Sequence, residues 1–417
     1  MIWLLVMLLP ALLWLRQPVL VLLGAAALFT YTVFDGGHPE YVVYDLWEAF
    51  NKEVLLAIPL FMFAGAVMSK GSIARRLIDF AVAVTRGMPG GLAIATVVAA
   101  AGFAAISGSA TVTLLAVGAV MYRALLENGY GRHFSIGIIC ASGVLGIVVP
   151  PSIPLILYGV MTETSIADLF IAGIGPALVM IGVLAAYTLA RHGRRTAGAW
   201  NAAEVRATGL RALTAVPVPL AVLGGIYGGI FTPTEAAAVS VALAVFVELA
   251  VHRDLDLRGL RDVGLETSRL MGSLFPVLAF AVSINIFLTY QQTPQNMLEA
   301  MEGMIDSPVE FLALGNLLLL GVGMVIDIGS AVLILGPMLE PLANALGIGS
   351  VHLGILMIVN LGIGYLTPPM GLNLIVAMGA FREDFATVTR AVLPFVGLLL
   401  MALALVAVFP AISTFLL

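Results

Sequence analysis

Twice in its 417 residues the chain interrupts an apolar run with Pro-Pro, and that repeated interruption leaves few ways to fold. The first copy reads Gly143-Val-Leu-Gly-Ile-Val-Val-Pro-Pro-Ser-Ile-Pro154, and the second reads Leu361-Gly-Ile-Gly-Tyr-Leu-Thr-Pro-Pro-Met-Gly-Leu372. A shift of 218 (368 − 150) also carries Gly118 onto Gly336, Gly129 onto Gly347 and Gly146 onto Gly364. Upstream, Ile58–Ala64 matches Phe275–Ala281 at an offset of 217 (275 − 58). The sequence therefore reads as one long unit duplicated. Two adjacent prolines remove two N–H donors, and their rings clash with carbonyls a turn back, so a helix must break there. In lipid the freed carbonyls are tolerated only where they are buried in protein or line a wet cavity. A plain proline kink is the simpler alternative, but a kink does not call for flanking glycines in both copies.

Hydrophobic residues make up 61% and charged residues 10%, against roughly 25% charged in soluble domains. That composition describes a polytopic membrane protein with room for roughly a dozen spans of about 20 residues. Met1–Leu15 lacks a basic start and a small-residue cleavage site, so it is expected to be the first span. Cys140 is the single cysteine, which excludes an intrachain disulfide. No Gly-x-x-x-x-Gly-Lys-Ser/Thr loop occurs, so the chain is not expected to hydrolyse ATP. No Cys/His cluster supports zinc or haem, and nucleic acid is not expected as a partner.

Charge placement orders the segments. The first repeat (1–190) contains spans to Leu15, Pro18–Phe34 and Val54–Met68, with the polar segment Asp35–Glu48 between the last two. A cationic helix at Lys70–Arg86 is expected to lie in the interface. Two apolar limbs at about 91–126 surround Ile106-Ser-Gly-Ser-Ala110, a pattern that suits a re-entrant hairpin. A segment at about 133–162 breaks at Pro150-Pro151, and a span runs from Ala167 to Ala190. A basic connector (191–216) leads to the second repeat (217–417). There Pro217–Ile230 and Ala236–Val251 are expected spans, and Arg253–Arg269 a second interfacial helix. Phe275–Tyr290, a hairpin at about 310–345 around Ile326-Asp-Ile-Gly-Ser330, a broken segment at about 352–380 and a final span from Ala391 complete it. The loop after Met68 carries Lys70, Arg75, Arg76 and Arg86, whereas its counterpart after Tyr290 carries Glu299, Glu302, Asp306 and Glu310. Cytoplasmic loops hold the Lys/Arg excess, so equivalent loops fall on opposite sides and the repeat is inverted. With both hairpins re-entrant, the stretches at Arg16, Lys70–Arg86, Arg123–Arg132, Arg191–Arg211 and Arg253–Arg269 become cytoplasmic together.

Inverted repeats with discontinuous helices are a common construction of secondary transporters, with substrate and ion sites near the midplane at the breaks. A half-helix beginning inside the membrane presents free N–H groups that favour an anion. Terminal carbonyls and hydroxyls offer hard oxygens for Na⁺. The expected first cation site combines Ser107, Gly108 and Ser109 with Gly143, Gly146, Val149 and Pro150. The second combines Asp327, Gly329 and Ser330 with Gly364, Thr367 and Pro368. Asp327 falls on Ser109 at the 218 offset (109 + 218), and an intramembrane acid is by default functional; it binds Na⁺, carries a proton, or caps a half-helix. The solute is expected between the tips, held by Ser107, Gly108, Ser109, Asp327 and Thr367 with Asn360 and Asn373. Either asparagine could serve instead as interhelical glue. Thr232-Pro-Thr-Glu235 reads as a plain helix cap.

Ile58-Pro-Leu-Phe-Met-Phe-Ala-Gly65, Ile106–Ala110, Pro150-Pro-Ser-Ile-Pro154, Tyr227-Gly-Gly-Ile-Phe-Thr-Pro-Thr-Glu-Ala236 and Leu366-Thr-Pro-Pro-Met-Gly371 occur in order along essentially the whole chain. Together they resemble the large membrane subunit of tripartite ATP-independent periplasmic (TRAP) transporters, the DctM-like family. The resemblance implies an all-α, elevator-type fold of the ion-transporter superfamily in the bacterial inner membrane. It also implies Na⁺-coupled import of an organic acid such as a C4-dicarboxylate or sialic acid. Its partners would be a DctQ-like small membrane subunit and a DctP-like periplasmic binding protein. Ala110-Thr-Val-Thr113 departs from the serine and alanine usual after the first tip, which puts the cation ligands in doubt. A stand-alone Na⁺/carboxylate symporter or Na⁺/H⁺ antiporter of the same superfamily is the alternative. An intramembrane enzyme has little support, because the histidines at 38, 133, 192, 252 and 352 all sit at or near segment ends.

Overall fold

The computed structural model describes residues 17–33, 38–193, 200–293, 296, 299, 305 and 307–417. The expected first span to Leu15, together with Arg16, Asp35, Arg194, Arg195, Glu302 and Asp306, lies outside the described residues. Every regular element among the described residues is helical. Among the described residues, eight helices are long and apolar enough to cross a membrane, or up to nine if one bent pair counts as a span.

Helix α1 (Val19–Val33) leads to α2 (Glu40–Phe50), which places a helix inside the polar segment expected between two spans. A short 3₁₀ turn at Glu53–Leu56 precedes α3 (Ala57–Lys70), and α4 (Ile73–Thr85) is the cationic helix. The first hairpin is α5 (Gly91–Ser107) and α6 (Ala110–Glu127). Its own broken segment follows as α7 (Arg132–Gly143), the single turn α8 (Leu145–Val148) and α9 (Ile153–Thr162). Helix α10 (Ile166–His192) starts on a Ser165 cap.

Helix α11 (Ala202–Ala212) occupies the basic connector and meets α12 (Pro217–Tyr227) at a 64° bend. One expectation needs correcting. After α13 (Pro233–Phe246) and a wide turn at Val247–His252, the charged segment is not a separate interfacial helix. It runs without a break into Phe275–Tyr290 as the 34-residue α14 (Leu257–Tyr290), with Pro276 inside it. The segment carries good helix formers and Asp256 caps its start, accepting from Gly259 N–H at 2.7 Å. The charge pattern marked where the helix leaves the apolar zone, which is a different matter from where it ends.

The second hairpin is α15 (Pro308–Gly323) and α16 (Ile328–Ala345), and the second broken segment is α17 (Ser350–Gly364) with α18 (Leu372–Phe381). Helix α19 (Phe385–Val408) and the turn α20 (Ala411–Thr414) close the chain. Both Pro-Pro bonds, Pro150-Pro151 and Pro368-Pro369, are cis. The two hairpins interlock across the halves of the sequence. The first packs on α7, from its own broken segment, and on α18, from the other. The second packs on α17 and on α9 in the same manner. One large core holds both hairpins and both broken segments, so the segments around the prolines are buried on all sides. That is why they read as apolar runs with no polar stripe. A smaller core joins α3, α13 and the start of α14.

Candidate functional site

Each hairpin tip is built by a local capping rule. In the first, Gly108 ends α5 at φ 59°. Ser109 is then extended, and its hydroxyl accepts from Val112 N–H at 3.5 Å to start α6. The Ser107 and Thr113 hydroxyls lie 2.7 Å apart beside it. In the second, Asp327 takes the same N-cap position, 218 residues on (327 − 109). Its two carboxylate oxygens accept from Ser330 N–H (2.8 Å) and Ser330 Oγ (2.6 Å). A carboxylate at a helix N-terminus is favoured by the dipole as well as by these bonds. Capping, the plainest of the three roles open to Asp327, is thus visible in its hydrogen bonds.

The breaks sit against the tips. A Cβ on Gly146 would lie 2.4 Å from Ser109 O and 2.5 Å from Thr113 Oγ1, so the first break presses directly on the first tip. A Cβ on Gly364 would lie 2.6 Å from the Gly323 carbonyl carbon at the end of α15. Backbone approach of this kind admits only glycine. The first break continues through Val149 and Pro150 to Ser152, whose hydroxyl donates to Ile147 O (2.5 Å) and accepts from Leu155 N–H (3.4 Å). At the second, Met324 O accepts from Met370 N–H (3.3 Å) and Gly371 N–H (3.2 Å), which stitches Pro368-Pro369 to the hairpin. Thr367 Oγ1 donates to Ile363 O at 2.9 Å and keeps its lone pairs.

A cavity of about 310 Å³ brings both tips together. Gly108, Ser109, Ala110 and Thr111 line it from the first tip, and Asp327, Ile328 and Gly329 from the second. Ile147, Ile153, Pro154, Tyr365 and Leu372 enter from the breaks, while Met62 of α3 and Leu270, Ser273 and Leu274 of α14 close the opposite wall. Among the described residues, no lysine or arginine lines it. A larger cavity of about 600 Å³ between α15, α17 and α19 has Asn316 and His352 as its polar side chains and touches neither tip. The smaller one is where the chemistry converges.

Four of the expected residues, Gly108, Ser109, Asp327 and Gly329, line the cavity. Ser107, Gly143, Gly146, Val149, Pro150, Ser330, Gly364, Thr367 and Pro368 stand behind it, within the tips and breaks. Asn360 is placed elsewhere: its Nδ2 donates to Asn316 O (2.9 Å) and Asn316 Oδ1 (2.6 Å), joining α17 to α15. Asn373 accepts from the Thr111 hydroxyl at 2.9 Å, while its buried Nδ2 has no hydrogen-bond partner. This bond ties the first tip to the second broken segment.

Sequence reasoning missed Thr111, Tyr365, Met62 and the α14 wall. Tyr365 OH accepts from Ile328 N–H at 2.8 Å and so occupies the first free amide of α16. A tyrosine at the end of an apolar half-helix was the available signal. The α14 residues carried none, because Ser273 among leucines is unremarkable in sequence.

The two tips are chemically unequal. Around the second, Asp327 supplies a carboxylate, and the amides of Ile328 and Ser330 are taken by Tyr365 and Asp327. Ala110 and Thr111 of the first tip belong to a first turn whose amides a helix leaves unpaired, and no acid lines that end.

The family model of the tripartite ATP-independent periplasmic transporter DctM component matches residues 5–412. The chain is 40% identical over 394 residues to the C4-dicarboxylate TRAP transporter large permease protein DctM of Pseudomonas aeruginosa, covering 94% of this chain and 92% of that protein. It is 36% identical over 362 residues to the sialic acid TRAP transporter large permease protein SiaM of Vibrio cholerae, covering 85% and 84%. Among solved structures it is similar in fold to the YdaH transporter of Alcanivorax borkumensis, with a TM-score of 0.63 at 17% identity over 90% of this chain and 88% of that one.

Proposed function

The chain belongs to the DctM family of tripartite ATP-independent periplasmic transporters, and from that premise we propose that it imports an organic acid by Na⁺-coupled secondary transport. As a large permease it is a transporter subunit, not an enzyme. It works in the bacterial inner membrane with a DctQ-like small subunit and a DctP-like periplasmic binding protein. The observation that carries the solute site is the 310 Å³ cavity shared by both hairpin tips, free of cationic side chains among the described residues. An anion there is held by hydroxyls and helix amides. Its carboxylate belongs at the first tip, near Ala110 and Thr111, because Asp327 stands at the second. The relatives' names support a C4-dicarboxylate or sialic acid as the class of solute.

Two cation sites accompany it. The first uses Ser107, Gly108 and Ser109 with carbonyls of Gly143, Gly146, Val149 and Pro150. The second uses Asp327, Gly329 and Ser330 with Gly364, Thr367 and Pro368. The donor set suits Na⁺, since all of these are hard oxygens, and at the first site Gly146 of the break packs directly against Ser109 of the tip. With both hairpins re-entrant and the repeat inverted, the hairpin body moves as an elevator against a scaffold of α3, α13 and α14. The cavity wall formed by Met62 and Ser273 supports this division, because it lies between the two bodies. Uptake into proteoliposomes under an imposed Na⁺ gradient tests the reading. The expected result is uptake only with the small subunit and binding protein present. Robust uptake by this chain alone would replace it with a stand-alone symporter.

A further inference from the structure

Helix α2 is inside out for a helix in water. Its inward face of Val42, Asp45 and Ala49 contains an acid, whereas Tyr44 and Trp47 on its outward face are 68% and 77% exposed. Exposed aromatic residues of this kind belong at the level of lipid headgroups. The acidic residues around α2 put it outside, opposite the Lys/Arg-rich face.

Asp45 is only 9% exposed, packed where α2 meets α1 and α14. Its Oδ2 accepts from Tyr31 OH (2.6 Å) and from Ser283 Oγ (2.7 Å). Its Oδ1 accepts nothing among the described residues, yet it is not enclosed, so it opens on the cavity that Asp45 lines. That cavity measures about 400 Å³, and its other walls include Tyr31, His38, Tyr41, Phe287 and Tyr290. Phe287 and Tyr41 stand edge-on to Tyr31, with ring centres 5.3 and 6.2 Å away. His38 is turned to Glu40 at 2.9 Å, and among the described residues no lysine or arginine lines the cavity. A largely buried carboxylate is therefore left without a cation, which is costly.

We propose that this cavity binds the headgroup of an aminophospholipid from the periplasmic leaflet. Aromatic walls around a carboxylate recognise an ammonium group, and a primary ammonium also donates N–H to Asp45 Oδ1. A single carboxylate among rings supplies too few oxygens for a metal ion. The Tyr41 and Tyr290 hydroxyls make no hydrogen bond among the described residues and stand at the exposed rim, where they donate to the lipid phosphate. A lysine of a partner protein would bring the ammonium but no phosphate for those hydroxyls. The acyl chains lie along the outward face of α2, beside Trp47. The lipid thereby fastens α2 to the outer end of α14, the helix whose Leu270, Ser273 and Leu274 wall the solute cavity.

Native mass spectrometry of the full chain with its small subunit tests this, after delipidation and titration with single lipids. The probes are phosphatidylethanolamine, phosphatidylcholine and phosphatidylglycerol with identical acyl chains. Phosphatidylethanolamine should bind about tenfold more tightly than the other two, because only its headgroup donates N–H to Oδ1. Asp45→Asn can still accept from Tyr31 and Ser283 and should lose that preference. Tyr41→Leu, at the exposed rim, should weaken binding of all three lipids. Phosphoethanolamine free in solution, which has no acyl chains to lay on α2, should not compete at the same concentration. Equal affinities in the wild type, or a preference that survives in Asp45→Asn, overturn the proposal. Competition by soluble phosphoethanolamine also overturns it, by making the ligand a free amine. So does a preference seen in the chain alone and lost in the complex, which would give Asp45 to a cation of the small subunit.

Discussion

Gly146→Ala isolates the contact between the first break and the first tip. The added methyl would sit 2.4 Å from Ser109 O, whereas carbon and carbonyl oxygen ordinarily approach to about 3.3 Å. Ser109 O is a backbone atom and cannot rotate aside, so the tip and the α8 turn must separate by roughly 1 Å. Misfits of this kind cost about 1–3 kcal/mol. If the strain falls on a cation held between tip and break, each 1.4 kcal/mol weakens binding about tenfold. The Na⁺ concentration for half-maximal uptake should then rise about 5- to 150-fold. The assay is uptake in reconstituted liposomes, titrated with Na⁺ at fixed solute. Gly102→Ala is the control, because nothing lies within 4 Å of its added methyl and it belongs to the same hairpin. Helix propensity alone should make that change neutral or stabilising by about 0.5–1 kcal/mol. An unchanged Na⁺ half-saturation in Gly146→Ala, in protein whose melting temperature has fallen, would show that the strained contact holds no ion and refute the placement of the first site.

Asp327→Asn keeps an N-cap side chain, so thermal stability should change by only a few tenths of a kcal/mol while Na⁺-driven uptake collapses; full uptake would reduce Asp327 to a cap. Asp327→Ala should lose both, with about 0.5–2 kcal/mol of stability gone in a thermal melt. Thr111→Val leaves Asn373 Oδ1 buried without its donor, so it should cost about 1–3 kcal/mol in thermal unfolding; an unshifted melt would mean that the bond is dispensable. Glu383→Gln weakens a nearly buried carboxylate that pairs with Arg132 and accepts from Tyr122 OH at 3.0 Å. Because Arg132 is 56% exposed, the expected loss is only about 1–1.5 kcal/mol, read as a small drop in melting temperature.

What sequence could disclose divides along a physical line. Caps and breaks depend on residues within four positions of one another, so the Thr232 cap and the capping role of Asp327 were readable in place, whereas the cap at Ser109 was read only as a ligand. Bonds that cross between the halves depend on packing, and there spacing said little. Asn360 and Asn373 looked alike in sequence, yet one joins two helices through Asn316 and the other receives Thr111 from the opposite hairpin. The Ala110-Thr-Val-Thr113 departure stood out without a role, and its two threonines turn out to bond Asn373 and Ser107 respectively. Their counterparts at the 218 offset clarify the rest. Thr111 falls on Gly329 (111 + 218) and Asn373 on Leu155 (373 − 218), so the polar bridge at the first tip has no equivalent at the second. A Cβ on Gly329 would meet Asp327 Oδ2 at 3.2 Å and Leu157 at 3.5 Å, with no partner from the opposite broken segment's asparagine position. The helix framework of the tips is therefore duplicated while their side chains are not. One end of the cavity offers neutral donors beside a helix start and the other offers a carboxylate, so an acid bound there as proposed would have a preferred direction. Exchange of Ser109 or of Asp327 should accordingly have different effects on solute and ion, despite their shared capping position.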